Sequence, residues 1–232
     1  MKTAILVDGG FYRKRACKCF GEKTPYQRAN ELFEYCLSHL NIQENKQGYR
    51  SDLYRIFYYD CEPISKKVYH PYLKKTIDLS KSDTFKWTNN FISELKKKRK
   101  VALRLGELSE SSAKYILSPD ITKKLFNNEI NLKDIGEDSF IFRANQKGVD
   151  MKIGLDIASL AYKRQVDQII LISGDSDFIS AAKLARREGI DFILDPMWAD
   201  IKSNLSEHVD GIMSPTRNPK DPLAKVKKQW KY

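Results

Sequence analysis

The chain has 232 residues, with 41 Lys and Arg against 30 Asp and Glu, a formal net charge of +11. Its 41% hydrophobic content suffices for one substantial core and excludes a chain that is disordered throughout. No run approaches the roughly 20 apolar residues of a membrane span, and MKTAILVDGG turns polar too early for a signal peptide, so a cytoplasmic protein is expected.

In chain order, residues 3–7 (TAILV) read as a short apolar strand, followed by a turn-like VDGG. Residues 26–40 carry helical spacing through Leu32, Phe33, Cys36, Leu37 and Leu40, and the aromatic run 53–59 (LYRIFYY) reads as a second strand. A helix is predicted over 85–98 and a strand over 101–105. The cationic block at 96–100 reads first as the solvated end of that helix, where cations suit the dipole, rather than as a nucleic-acid motif. From 106 to 145 the text is polar with weak periodicity, a candidate lid or a set of strand-poor loops. Order returns with a helix over 149–163, a strand over 168–172, a helix over 178–188 stopped by Gly189, and a strand over 191–194. Alternation of this kind predicts an α/β fold: a Rossmann-like parallel sheet with helices on both faces. The expected organisation is one domain over 1–213 with a basic insertion around 62–145, then a basic tail over 214–232 that lies outside the core or docks loosely through Trp230. Cys17, Cys19, Cys36 and Cys61 show no C-x-x-C spacing and indicate reduced or buried thiols. Cys36 and His39 stand one helical turn apart, but core packing is the stronger reading there than zinc.

Chemistry is expected at the carboxyl ends of the strands, where open α/β sheets bind ligands. Asp8 follows TAILV, Asp175 and Asp177 follow QIILIS, and Asp150 opens the helix that precedes that strand. Each has an ordinary role available: Asp177 as a helix N-cap, Asp8 as a turn residue, Asp150 as a first-turn acid. Together they are better explained as one acidic site. Four carboxylates in partly water-excluded surroundings require a cation, and Mg²⁺ or Mn²⁺ suits oxygen ligands. Asp156 points partly away on the same helix and is expected to orient a neighbour.

The stretches VDGGFY, KGVDMKIGLDIASLA and LISGDSDFISAAKLARREGIDF resemble the NYN family, the LabA-like or DUF88 group of PIN-like nucleases. The resemblance implies a PIN-like Rossmannoid fold and metal-dependent RNA cleavage, with Asp8, Asp150, Asp175 and Asp177 binding the metal. One departure stands out: many members read VDG-x-N, and Phe11 takes the Asn place here.

A phosphodiester attacked in line by water is served by such a metal site. RNA, single-stranded or structured, is the expected partner, gripped by Lys147, Arg13 and Lys152, with Lys14 and Arg15 nearby and Tyr12 as a candidate for base stacking. Ser173 reads as a turn serine that could also bond a phosphate. A homo-oligomer is compatible with the sequence. A haloacid-dehalogenase phosphatase would need an acid where Gly10 stands, and a glycosyltransferase Asp-x-Asp would leave Asp8 and Asp150 unexplained. The remaining alternative is a catalytically silent RNA-binding or assembly module.

Overall fold

The computed structural model describes residues 1–40, 51–201, 203–216, 218–219 and 228–230. In chain order the elements are β1 (Lys2–Asp8), α1 (Gly9–Phe20), α2 (Pro25–Leu40), β2 (Asp52–Cys61), β3 (Lys67–His70), β4 (Lys75–Asp78), α3 (Asp83–Lys96), β5 (Val101–Leu108), β6 (Lys114–Leu117), α4 (Pro119–Phe126), β7 (Phe140–Arg143), β8 (Gln146–Lys147), α5 (Val149–Tyr162), β9 (Gln168–Ile172), α6 (Ile179–Arg187), β10 (Asp191–Asp195), α7 (Ser203–Ser206), β11 (Gly211–Met213) and β12 (Lys228–Trp230). Among the described residues no helix is long and apolar enough to cross a membrane. The chain divides into two compact units, the first made of residues 1–60, 90–106 and 148–232, the second of 61–89 and 107–147.

The first unit is an α/β layer whose sheet runs in the order β12-β11-β10-β9-β1-β2-β5. β1 pairs in parallel with both β2 and β9, and β10 in parallel with β9 and β11. β1 and β9 read as unbroken apolar runs because both their faces are covered: Ala4 to Val7 and Ile169 to Ile172 are wholly buried. α5 packs beside α6 and buries Val149, Ile153, Ile157, Leu160 and Ala161, spaced for a single helix face. From β1 the chain builds outward to β2 and β5, then returns to place β9 on the other side of β1. That reversal makes the gap between β1 and β9 the topological switch point.

Two features depart from the expectation. The VDGG segment is no turn: Asp8 is the N-cap of α1, and Gly9 is its first residue. A Cβ on Gly9 would stand 2.5 Å from the Tyr58 hydroxyl and from the Tyr59 carbonyl oxygen, so glycine serves close helix-to-strand approach rather than reversal. The tail returns to the sheet, because Lys228–Trp230 pairs antiparallel with β11 and satisfies an otherwise open backbone edge. The Trp230 side chain, expected to dock, lies outside the described positions. The 96–100 block closes α3 as a largely solvated end, as expected, with Lys96, Lys97, Arg99 and Lys100 exposed; Lys97 pairs with Glu94 at 2.7 Å, Lys98 bonds Asn30 over the rings of Tyr26 and Phe33, and Lys100 donates to the Leu53 carbonyl.

The second unit is more ordered than its sequence predicts. β3 and β4 form one antiparallel hairpin, and β6 and β7 another, with Tyr115 opposite Phe142. His70 is buried between them, its ring centroid 4.4 Å from Tyr115 and 5.4 Å from Phe140. α4 is capped by Ser118, which accepts the Ile121 N–H, with Pro119 in its first turn. β8 pairs antiparallel with Glu107 and Leu108.

Candidate active site

Strand register brings the acidic positions to one edge. Val7 lies opposite Ile172 on one side and Tyr58 on the other, Asp8 opposite Tyr59, and Asp195 opposite Ile172. Asp8, Asp60, Asp195 and the Ser173–Asp177 loop therefore all stand at the carboxyl ends of parallel strands, with Asp8 and the loop flanking the switch point.

Asp8 is half-buried and bonded through both oxygens. Its Oδ1 accepts the Phe11 N–H at 3.1 Å, and its Oδ2 accepts the Ser173 hydroxyl at 3.2 Å. Ser173 is wholly buried and accepts the Asp175 N–H at 3.2 Å, while Asp175 Oδ1 accepts the Asp177 N–H at 3.0 Å. Asp175, not Asp177, thus caps the short 3₁₀ turn Ser176–Phe178 that leads into α6. Gly148 starts α5 in the left-handed region (φ +79°), which glycine adopts without steric penalty, and sets Asp150 in the first turn. Burial raises the Asp8 carboxyl above its ordinary value against the pull of its two hydrogen bonds, and the charges of Asp150 and Asp60 add to the rise. Partial desolvation, then the charges of Asp175 and Asp177, raise Asp150. All four predicted acids consequently share one electrostatic neighbourhood.

The donor set fits a hard divalent cation in kind: every donor is a carboxylate oxygen, and none of Asp150, Asp175 or Asp177 has an ion pair among the described residues. As placed, no three His, Cys, Asp or Glu among the described residues are gathered closely enough to hold an ion. The same holds for the cysteine and histidine grouping considered for zinc: Cys36 is buried, and His39 instead bonds Asp195 at 2.9 Å.

Several expected RNA contacts are otherwise engaged. Arg13 pairs with the buried Asp60 at 3.0 Å, Arg15 Nε donates to the Met197 carbonyl at 3.1 Å, and Lys152 Nζ donates to the Leu105 carbonyl at 2.7 Å. Arg13 and Lys152 thus each have a partner within the fold, and both side chains remain partly exposed. Lys14 is exposed, and Lys147 is exposed on β8 of the second unit. Tyr12 is buried and donates to Glu31 at 3.0 Å, so it offers no face to a base. Asp156 accepts the Tyr59 hydroxyl and Arg104 Nε, both at 2.8 Å, and orients its neighbours as expected.

Two buried acids escaped sequence reasoning. Asp60 accepts Tyr58 Oη at 2.8 Å as well as Arg13. Asp195 accepts Tyr35 Oη at 2.7 Å, His39 at 2.9 Å, and both the Met197 N–H and the Ser214 hydroxyl at 2.7 Å. The available signal was position: each closes an apolar strand, as Asp8 does.

The fold and this acidic edge define a PIN-like α/β domain. The sequence matches the NYN domain over residues 78–210, more than half of the chain, and the protein belongs to the NYN family of the PIN-like nuclease superfamily. Members are typically nucleases, and they generally use divalent metals. The matched region holds Asp150, Asp175 and Asp177 and begins after Asp8. No curated protein matches the chain. A solved protein of unknown function from Vibrio parahaemolyticus is similar at 17% identity, covering 91% of this chain and 90% of that one with a TM-score of 0.43.

Proposed function

We propose that the protein is a metal-dependent ribonuclease that hydrolyses RNA phosphodiester bonds. The observation that supports this is the electrostatic coupling of Asp8 to Asp150, and of Asp150 to Asp175 and Asp177, with none of the four in an ion pair among the described residues. Asp8, Asp150, Asp175 and Asp177 would hold Mg²⁺ or Mn²⁺, and when bound the cation supplies Lewis-acid stabilisation of charge building on the phosphate oxygens. Asp8 and Asp175 act from opposite sides of the switch point. The Ser173 hydroxyl donates to the Asp8 carboxylate and accepts the Asp175 N–H, so the separation of the two acids is set before substrate arrives. Asp150 approaches from the start of α5. Exposed cations such as Lys14 and Lys147 would attract the phosphate backbone.

The test is cleavage of a mixed pool of single-stranded RNA, structured RNA and DNA, in Mn²⁺ or chelator, by wild type, Asp8→Asn and Asp175→Asn. Mn²⁺-dependent RNA cutting that both variants lose is expected; variants cutting at the wild-type rate would falsify the assignment. A second reading is favoured by the absence, among the described residues, of three donors gathered for chelation. In that reading the domain is a catalytically silent RNA-binding or assembly module. RNA bound equally with Mn²⁺ and with chelator, and never cut, would establish it.

A further inference from the structure

Around the switch point the structure offers a polyanion little positive charge. Asp8 and Asp175 flank it with Asp150 and Asp177 in electrostatic reach, while Arg13 is paired with Asp60 and Arg15 and Lys152 are held by backbone carbonyls. A strand brought to these acids needs a grip there that does not depend on charge. Phe11 offers such a grip: it lies in the first turn of α1, and its own N–H bonds Asp8 Oδ1 at 3.1 Å. Its ring lies against the acidic loop. A Cβ on Gly174 would stand 2.7 Å from Phe11 Cε2, with Cζ at 3.4 Å and Cδ2 at 3.5 Å, so the ring rests where a side chain at 174 would be. Phe11 is half-buried, unlike Tyr12 beside it, which is wholly enclosed. The ring therefore rests against Gly174, within one helical turn of Asp8 and one residue from Asp175, and keeps part of its surface exposed.

We infer that Phe11 is a base-stacking residue: it holds the nucleobase next to the scissile phosphate and makes the site select unpaired RNA. A base inside a duplex cannot present its face to a ring, whereas an unpaired one can, and each such stack contributes about tenfold in affinity. Gly174 contributes by leaving room for the ring, so no ordering of Phe11 is required on binding. The inference rests on the RNA-cleaving function proposed above but is separable from it.

The test uses a fluorescent single-stranded RNA dodecamer and copies carrying one abasic nucleotide at each successive position. Anisotropy in chelator reads binding, and cleavage in Mn²⁺ reads KM and kcat, for wild type, Phe11→Leu and Phe11→Trp. Wild type should lose about tenfold in affinity at one abasic position. Phe11→Leu should bind intact RNA about tenfold more weakly and be indifferent to that abasic position, and Phe11→Trp should behave as wild type. Equal binding of intact RNA by wild type and Phe11→Leu overturns the inference. So does a Phe11→Leu loss that persists undiminished on the abasic strand, which would mean the ring only shapes the loop. Ring-dependent binding without any cleavage would instead remove the nuclease function and leave the stacking role intact, while no RNA binding at all removes both.

Discussion

Ser173 ties Asp8 to Asp175: its buried hydroxyl donates to Asp8 Oδ2 and accepts the Asp175 N–H, each at 3.2 Å. One side chain thus couples the ends of two neighbouring strands. Ser173→Ala leaves the Asp175 N–H without its partner, which costs about 1–3 kcal/mol, or a Tm lowered by roughly 2–12 °C. Loss of a contact that orients metal ligands also weakens metal binding, by about 10–100-fold. Thermal melts and Mn²⁺ titration calorimetry check the two effects separately. Unchanged Mn²⁺ affinity in a destabilised variant would reduce Ser173 to a turn residue.

The raised Asp8 carboxyl has a signed consequence. Burial first, then the charges of Asp150 and Asp60, place its folded pKa above its unfolded one, so the folded protein holds that proton more tightly. Such a group favours the fold fully below its unfolded pKa of about 3.9, and the contribution is lost as pH rises through the higher folded value. In the metal-free protein the contribution of Asp8 should accordingly fall as pH climbs from about 4 toward neutrality, with Asp150 acting in the same direction. Asp8→Asn keeps a good N-cap and removes the charge. At pH 7 its metal-free Tm should exceed that of wild type, while Mn²⁺ should raise the Tm of wild type alone. Scanning fluorimetry decides; a metal-free variant that melts below wild type would show that the buried charge is not a strain on the fold.

Asp195 carries structural rather than chemical weight. With no exposed surface and four hydrogen bonds, from Tyr35, His39, Met197 and Ser214, its removal strands several buried donors at once. Asp195→Ala should destabilise by about 3–5 kcal/mol, measurable by urea unfolding. Mn²⁺ affinity of the folded fraction should stay at the wild-type value. A stable variant with lost metal affinity would instead make Asp195 part of the site.

Two glycines should respond oppositely to the same substitution. Gly9→Ala drives a methyl to 2.5 Å from the Tyr59 carbonyl oxygen and should destabilise by about 1–3 kcal/mol. Gly154, inside α5, faces nothing within 4 Å, and Gly154→Ala should stabilise by about 0.5–1 kcal/mol. Urea midpoints for both variants, compared with wild type, test the pair. A loss in Gly154→Ala would reveal a close neighbour at that helix face.

The central sheet was legible because strands buried on both faces, such as 168–172, are plain apolar runs, and α5 and α6 carry an unambiguous helical stripe. The start of α1 was not, since a glycine pair looks the same whether it turns the chain or lets a helix touch Tyr58 and Tyr59. β6 and β7 escaped because four-residue strands are too short to show alternation. At the site, the four acids stand out by their strand-end motifs. The pairing of Arg13 with Asp60 does not: partners 47 residues apart become neighbours only through the β1–β2 register. Free and engaged cations look identical in a sequence, so the partners of Arg13 and Lys152 were not legible there.

The place of β1 between β2 and β9 also constrains the protein's birth. Its one edge pairs with Asp52 to Tyr59, some 50 residues later, but the other pairs with Gln168 to Ile172, some 165 residues later. At about 5–20 residues per second, β1 waits on the order of 8–33 s with that edge open. Until the ribosome has released β9, Asp8 has no Ser173 to bind and the acidic site does not exist. A chain truncated before residue 168 should therefore be both inactive and prone to edge-to-edge association, a liability that complete synthesis removes.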